Sequence, residues 1–280
     1  MKAMEALVSL ALIGGVALGQ ESASCCSAPT QAFAAFGSDM TFRMAHLEPE
    51  PRGASDKRGQ FVSFPTPDGG TGRAYLVTPE ETPKIYIFMI HEWWGLNEYI
   101  RGEADRLQAE FPRVAVLALD LYDGRVAETR EAASQFMQEA TEGRIGAIIR
   151  GALSYVGKDA RIGTIGWCFG GGWSLQTAIM AGKQTVACVM YYGMPETDPA
   201  KLRDLAAPVL GIFAKKDAWI TPEVVAKFQR AMKEAGKDVT VRSYDADHAF
   251  ANPSNPRFAK EATADAHKLV SEFFRKHLEP

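Results

Sequence analysis

The sequence lacks the features that would assign it to several large classes of protein. Its 280 residues include only four cysteines, too few for the disulfide framework of a small secreted scaffold. The 31 basic residues nearly balance the 34 acidic ones, and no basic block stands out, which argues against nucleic acid as a partner. The apolar stretch at residues 6–18 is too short for a permanent membrane span. The mild net charge points to small-molecule or protein partners.

Several catalytic and cofactor signatures are also missing. No G-x-S-x-G is present, so no serine competes for the role of an esterase nucleophile. The absence of H-E-x-x-H and of paired C-x-x-C motifs predicts no metal site. The glycines of "GWCFGGGW" lack the G-x-G-x-x-G spacing, so no nucleotide cofactor is predicted. We therefore expect a protein that works without a cofactor.

The N-terminal region differs from the rest of the chain. Residues 1–19 combine Lys2 with the short apolar stretch and end in small residues, which is typical of a cleaved secretory signal. Residues 20–57, rich in alanine, serine and proline, are predicted to be a tether that includes one short helix. Cys25 and Cys26 have three open interpretations: lipid attachment at Cys25, disulfide pairing, or no role. We expect an exported, periplasmic protein without membrane insertion beyond such an anchor.

Residues 58–280 carry the pattern of one catalytic α/β domain. Two short runs separated by the turn signal Asp68-Gly69 predict an antiparallel hairpin at a sheet edge. Continuous apolar runs then alternate with helical patterns, including one long helix over about residues 129–156 and a last helix over about 256–277. This alternation predicts a mostly parallel sheet with helices on both faces. Ligands of such sheets bind beyond the carboxyl ends of the strands. The predicted strands after the hairpin are 84–90, 113–121, 161–167, 185–193, 208–214 and 239–244.

The stretch "GWCFGGGWS" places Cys168 directly after a predicted strand, in the spacing G-x-C-x-G. This is the cysteine form of the nucleophile elbow, a sharp strand-to-helix turn whose flanking residues must be small. Such a turn lifts the side chain to the top of the sheet and puts a helix N-terminus beneath it, which is expected to lower a thiol's pKa. Cys188 has no such context and is predicted to be a core residue.

A cysteine nucleophile needs a base and an orienting acid. Asp217 and His248 each follow a predicted strand, in the chain order nucleophile, acid, histidine of the α/β-hydrolase fold. Asp245 and Asp247 are weaker candidates because they lie too close to His248 in sequence. The oxyanion hole is predicted from the backbone N–H groups of two residues, Phe169 and Trp93. Of the other histidines, His91 either lines the site or packs, while His46, His267 and His277 are interpreted as surface residues.

From about residue 58 to the end, the chain resembles the dienelactone hydrolases, a cysteine-nucleophile branch of the α/β-hydrolases. The resemblance is carried by "HEWWG", "LDLYDG", "GWCFGG", "AKKDAWITP" and "DHAFANP". It implies a Cys168–His248–Asp217 triad. It also implies that Glu92 contacts the resting cysteine and helps to set its charge state when substrate arrives.

The sequence departs from this family where two arginines hold the substrate carboxylate. One position is Gly124, with Arg125 one place later, and the other is Asn252. An amide does not replace a bidentate arginine, so a substrate other than dienelactone is predicted. Aromatic residues of the matching segments instead suggest an apolar pocket. The predicted substrate-binding residues are Trp94, Tyr122, Arg125, Trp219 and Asn252.

The prediction is a hydrolase of small carboxylic esters or lactones that works through a thioester acyl-enzyme. Two alternatives stay open. One is acyl transfer to an alcohol or amine at the same site, and the other is a secreted binding protein with the same fold and a silent triad.

Overall fold

The structure is a computed structural model that describes residues 29–46, 48–49 and 58–279. The predicted signal segment, Cys25 and Cys26 lie outside these residues, so those predictions remain predictions. Within the described residues, no helix has the length and apolar character needed to cross a membrane.

The sheet of the described chain has eight strands in the order β1-β2-β4-β3-β5-β6-β7-β8. The hairpin β1-β2 and the pair β2-β4 are antiparallel, and every other neighbouring pair is parallel. This confirms the predicted α/β-hydrolase fold with an N-terminal hairpin at a sheet edge. The strands are β1 (Gln60–Pro65), β2 (Thr71–Val77), β3 (Ile85–Ile90), β4 (Ala115–Asp120), β5 (Arg161–Trp167), β6 (Thr185–Tyr191), β7 (Val209–Ala214) and β8 (Val239–Tyr244).

Helices cover both faces of the sheet. On β5, the Cα of Gly163 faces Phe274 and Leu278 of the last helix, whereas the next residue, Thr164, donates a hydrogen bond to the carbonyl of Ser174. Consecutive strand residues point to opposite faces of a sheet. The last helix and the helix that contains Ser174 therefore lie on opposite sides. The helices are α1 (Pro29–Ser38), α2 (Met40–Met44), α3 (Glu98–Glu110), α4 (Arg130–Glu139), α5 (Glu142–Val156), α6 (Phe169–Ala181), α7 (Pro199–Leu202), α8 (Pro222–Glu234) and α9 (Lys260–Leu278), with a short 3₁₀ turn at Gly182–Gln184.

The single helix predicted over residues 129–156 is wrong, because the chain forms two helices there. Ala140 leaves the helical conformation, with φ −68° and ψ 114°. Thr141 then caps α5 by accepting a hydrogen bond from the Arg144 N–H. A threonine N-cap satisfies a backbone donor that a continuous helix would have bonded internally, so it favours a new start. The apolar periodicity runs across this break, which explains why the pattern looked continuous.

The segment before the catalytic domain packs on the domain through two helices. Phe33 of α1 and Phe42 of α2 are fully buried. Trp173 of α6 donates a hydrogen bond to Thr30, and Ser134 of α4 donates one to the carbonyl of Gly37. These contacts hold α1 and α2 over the carboxyl edge of the sheet, where α6 begins.

Candidate active site

The turn between β5 and α6 has the geometry of a nucleophile elbow. Cys168 has φ 56° and ψ −121°, a conformation that L-residues rarely adopt. A Cβ on Gly166 would lie 2.1 Å from the carbonyl oxygen of Gly170, and a Cβ on Gly170 would lie 2.4 Å from the carbonyl oxygen of His91. Only glycine fits at these two positions, which explains the spacing of the motif. Backbone strain of this kind is often found at functional sites.

The three residues predicted as a triad lie in contact. The Nε2 atom of His248 is 3.3 Å from the Sγ atom of Cys168, and its Nδ1 atom is 2.6 Å from Oδ2 of Asp217. Oδ1 of Asp217 accepts hydrogen bonds from the backbone N–H groups of Trp219 and Ile220. All three triad side chains are buried. The carboxylate therefore fixes the imidazole so that its other nitrogen faces the thiol.

The two rival aspartates point elsewhere. Asp245 forms an ion pair with Lys216, and Asp247 forms one with Arg257.

Burial acts to raise the pKa of Asp217, but the attraction of His248 and the hydrogen bonds to the carboxylate outweigh it and lower this pKa. Asp217 is thus held ionised behind the imidazole, which suits an orienting acid.

The surroundings of Cys168 favour the protonated thiol over the thiolate. Burial raises its pKa well above the ordinary value, and the negative charges of Glu92 and Asp217 act in the same direction. The N–H of Phe169 lowers it but is outweighed. The lowered pKa expected from the helix N-terminus is therefore wrong for the resting site, because desolvation of a fully buried sulfur exceeds the effect of one backbone donor.

Glu92 acts electrostatically on the thiol and also lines a cavity. Its Oε2 accepts a hydrogen bond of 2.6 Å from the side-chain amide of Asn252, and its Oε1 lies 3.5 Å from the hydroxyl of Tyr192. Burial raises the pKa of Glu92 to about 7, although His248, Asn252 and Tyr192 act to lower it. A carboxyl that titrates near neutrality changes the charge beside Cys168 in the physiological range.

A cavity of about 490 Å³ reaches Glu92 from the surface. Two of the predicted substrate-binding residues, Trp94 and Asn252, line it together with Trp167 and Tyr191. Its volume is in the range of small-molecule sites. Charged side chains of α3 and α9, among them Arg106 and Lys260, line the same cavity.

The other predicted substrate-binding residues do not line this cavity. Tyr122 is buried, with its ring 5.7 Å from that of Phe169 and its hydroxyl without a partner in the described chain. Trp219 packs 5.7 Å from the His248 ring and donates a hydrogen bond to Asp39. Arg125 contacts helix α4 instead.

Local contacts explain the position of Arg125. Its guanidinium forms an ion pair with Glu139 and lies 4.4 Å from the ring centre of Phe136, while its Nε donates to the carbonyl of Tyr122. These three interactions hold the side chain on the helix α4 side of the domain. It does not take the place of the family's missing arginine in this structure.

The two predicted oxyanion donors lie on either side of the elbow. Phe169 is the first residue of α6, and Trp93 follows β3. The Trp93 N–H has no hydrogen-bond acceptor among the described residues. His91, by contrast, packs: its Nδ1 bonds the carbonyl of Glu92, and its Nε2 accepts from the Leu121 N–H.

The interpretation of His46 as a surface residue is wrong. It is 3% exposed, and its ring centre lies 5.5 Å from that of His248 and 4.9 Å from that of Trp93. Phe42 packs beside it, 5.8 Å from the His248 ring. Helix α2 and the residues after it thus pack against the imidazole of the proposed triad.

Sequence reasoning also missed Tyr192. This residue follows β6 with φ 33° and places its ring 5.1 Å from that of His248. The predicted strand 185–193 included Tyr192, whereas β6 ends at Tyr191, so its position beyond the strand end was not evident from the sequence. Ala249, next to His248, also has a positive φ, of 59°. Three of the four non-glycine residues with positive φ in the described chain therefore lie at this site, namely Cys168, Tyr192 and Ala249.

Comparison with known proteins places this site in a family. The sequence model of the dienelactone hydrolase family matches residues 73–278. The chain belongs to the dienelactone hydrolase family. The resemblance inferred from the motifs is thereby confirmed, and with it the prediction of a hydrolase of carboxylic esters or lactones. The match begins after α1 and α2, so His46 lies outside the region shared with the family.

Individual relatives agree with this assignment. Protein usf of Aquifex pyrophilus is 29% identical over 235 residues, which cover 79% of this chain and 99% of the relative. A carboxymethylenebutenolidase of a Pseudomonas species is 26% identical over 231 residues, covering 77% and 94% of the two chains. The crystal structure of a dienelactone hydrolase-like promiscuous phosphotriesterase from metagenomic libraries shares the fold, with a TM-score of 0.66 at 20% identity, over 79% of this chain and 99% of the other.

Proposed function

We propose that the enzyme hydrolyses small carboxylic esters or lactones through a Cys168–His248–Asp217 triad and a thioester intermediate. The observation that carries the proposal is the continuous contact from Oδ2 of Asp217 through the imidazole to the sulfur, at a strained elbow. Because Asp217 accepts from Nδ1–H, the lone pair of His248 lies on Nε2, facing the thiol.

In the first half of the reaction, His248 takes the thiol proton as the sulfur attacks the carbonyl carbon. The N–H groups of Trp93 and Phe169 are assigned as hydrogen-bond donors to the developing oxyanion. The imidazolium then gives its proton to the leaving alkoxide, so an alcohol departs and a Cys168 thioester remains. With a lactone, the alcohol stays attached to the acyl group.

In the second half, His248 removes a proton from water, which attacks the thioester. The tetrahedral intermediate collapses, the sulfur leaves and regains a proton, and the carboxylic acid is released. Glu92 is assigned the role of setting the charge state of the sulfur. Ionised, it disfavours a thiolate next to it, and its neutralisation near pH 7 removes that repulsion.

The substrate proposed is a small ester or lactone with an apolar or aromatic group. Trp94, Trp167 and Tyr191 offer apolar surface in the cavity, whereas the position where the family holds a carboxylate is occupied by Asn252, which is bonded to Glu92. Dienelactone itself is therefore not the substrate we propose.

A panel of aryl esters and lactones, including dienelactone, tests the proposal on wild type, Cys168→Ala and Cys188→Ala. Neutral aryl esters are expected to yield equal amounts of acid and alcohol with wild type and Cys188→Ala only. Hydrolysis that survives in Cys168→Ala would refute the triad. Added alcohols or amines in the same assay distinguish transfer, because a transferase forms new esters or amides in place of the free acid.

A further inference from the structure

His46 brings a third metal-binding atom to the nucleophile. One ring nitrogen of His46, one of His248 and the sulfur of Cys168 all lie within 4.8 Å of one another. The three residues are buried, at 3%, 2% and 1% exposed. They come from three separate segments, the turn after α2, the elbow and the loop after β8, so no local sequence motif could have announced the group.

The hydrogen bonds of the two histidines define which nitrogens face the centre. Nδ1 of His46 lies 2.8 Å from the carbonyl oxygen of Phe42, and that oxygen can only accept, so Nδ1 carries the proton. Nδ1 of His248 is likewise engaged, by the carboxylate of Asp217. Both Nε2 atoms therefore present lone pairs. Nε2 of His46 has no hydrogen-bond partner in the described chain, although it is buried.

The hydrogen atoms available at this site cannot satisfy all three groups. Two imidazole lone pairs and one thiol converge, but only the S–H hydrogen is available, and it can bond one acceptor at a time. If it bonds His248, the buried lone pair of His46 has no partner among the described residues. A cation at the centre would satisfy both nitrogens and the sulfur together.

The surroundings also match those of metal-bound histidines. Such histidines nearly always donate their second ring N–H to a carboxylate or a backbone carbonyl. His248 has the first kind of partner, Asp217, and His46 has the second, the Phe42 carbonyl. Imidazole nitrogen and thiolate sulfur are the donors that zinc prefers, whereas magnesium and calcium prefer oxygen.

We propose that His46, Cys168 and His248 form a binding site for a zinc-like divalent cation, which caps the nucleophile and holds the enzyme inactive. On binding, the Cys168 S–H bond breaks, its proton passes to solvent, and a sulfur–metal bond forms with no change in oxidation state. The 3.3 Å between Sγ and Nε2 of His248 suits two donors on one zinc, with bonds of about 2.3 and 2.0 Å. A shift of α2 on the order of 1 Å brings His46 into the same shell.

The site differs from a generic cysteine–histidine pair through His46 alone, which makes His46 the residue to test. His46→Phe removes the lone pair but keeps an aromatic ring between Phe42 and Trp93. His46→Asn is the second variant, used if the first fails to fold. His267→Phe, on the partly exposed face of α9, is the matched control. All are made in the full chain with Cys25→Ser and Cys26→Ser, which removes competing thiols outside the site.

Zn²⁺ binding is measured by calorimetry and Cd²⁺ binding by the ultraviolet thiolate–cadmium band, neither of which needs activity. We expect one ion per chain in the control, and affinity lower by at least roughly 100-fold in the His46 variants, since even second-sphere losses reach that size. Zn²⁺ should raise the melting temperature of the control only. No binding in the control, or equal binding without His46, would overturn the proposal.

This proposal rests on the proposed function for the role of Cys168, but the Zn²⁺-binding test can fail independently of the test of ester hydrolysis. Ester hydrolysis measured with a chelator present depends on the triad and not on the ion. An enzyme that hydrolyses esters through Cys168 but binds no Zn²⁺ retains the proposed function and loses this site. If Zn²⁺ binding requires His46 but ester hydrolysis is unaffected by Cys168→Ala, the metal site stands and the proposed function fails.

Discussion

Cys168 and Cys188 are both buried thiols in adjoining parts of the sheet, yet only one of them is placed for chemistry. Cys188 lies in the middle of β6, opposite Thr164 on β5, with its sulfur 3.9 Å from the hydroxyl of Ser174. Cys168 comes directly after the last residue of β5, with a positive φ and an imidazole 3.3 Å from its sulfur.

The two thiols do not differ in the property that a reactive cysteine is usually expected to show. Burial raises the pKa of Cys188 to about 11 and raises that of Cys168 well above its ordinary value. Burial and pKa therefore do not identify the nucleophile here. Its position at the carboxyl end of a strand and its contact with a base do.

The largest expected difference between the two cysteines is in turnover. Cys168→Ala should lower kcat/KM for an aryl ester by roughly 10⁶-fold, which is the size of effect seen when the nucleophile of a triad is removed. The fold should persist, because the change removes one atom at a turn. Kinetics together with circular dichroism check this, and a loss of less than tenfold would show that Cys168 is not the nucleophile.

The next effect concerns the acid that orients His248. Asp217→Asn should lower kcat by roughly 10⁴-fold, because an amide in place of the carboxylate does not hold the imidazole in the tautomer that faces Cys168 with a lone pair. Asp247→Asn is the matched control, since Asp247 is next to His248 in sequence but pairs with Arg257. The control should change kcat by less than about twofold. Equal losses in both variants would contradict the assignment.

Glu92 affects Cys168 and leaves Cys188 alone, and its effect should depend on pH. The folded protein holds a proton on Glu92 up to a pKa of about 7, whereas the ordinary pKa of a glutamate carboxyl is 4.5. The folded state therefore binds more protons between these values, so the contribution of Glu92 to stability falls as pH rises through this window. Glu92→Gln should remove this pH-dependent loss of unfolding free energy, which amounts to about 3 kcal/mol.

The measurement is the unfolding free energy of wild type and Glu92→Gln in urea at several pH values. The difference between them should be small near pH 4 and grow until about pH 7. A difference that stays constant with pH would mean that Glu92 does not titrate in this range. Removal of its charge should also speed alkylation of Cys168 above pH 7.

The smallest effect is expected at the other cysteine. Cys188→Ala should leave kcat/KM within about twofold of wild type and lower the free energy of unfolding by about 1 kcal/mol, through the cavity left among β6, Thr164 and Ser174. Urea unfolding and the ester assay check both values. A large loss of activity with unchanged stability would erase the distinction between the two thiols.

The parts of the account that sequence could predict are those with a local signal. The continuous apolar runs predicted the parallel strands, and the glycines around Cys168 predicted the elbow because a Cβ at either position would meet backbone atoms. Asp217 and His248 could be found because the fold brings the carboxyl ends of successive strands to one edge.

The parts that sequence missed depend on contacts between distant segments. His46 lies in a stretch whose composition resembles a tether, and only the packing of Phe42 against Trp93, Trp219 and His248 brings it to the site. The pKa of Cys168 was predicted from the helix N-terminus, a local feature. Its direction is decided instead by burial and by Glu92, both of which are tertiary.

The central claim is that the sulfur of Cys168 becomes acylated during turnover. Because burial raises the pKa of the resting thiol, slow alkylation would not refute this, and the acyl-enzyme is the species to observe. The enzyme is mixed with a slowly hydrolysed aryl ester, quenched in acid and digested for mass spectrometry. The account predicts one acyl group on the peptide that contains Cys168, in wild type and Cys188→Ala. An acyl group on another residue, or full turnover in Cys168→Ala, would contradict it.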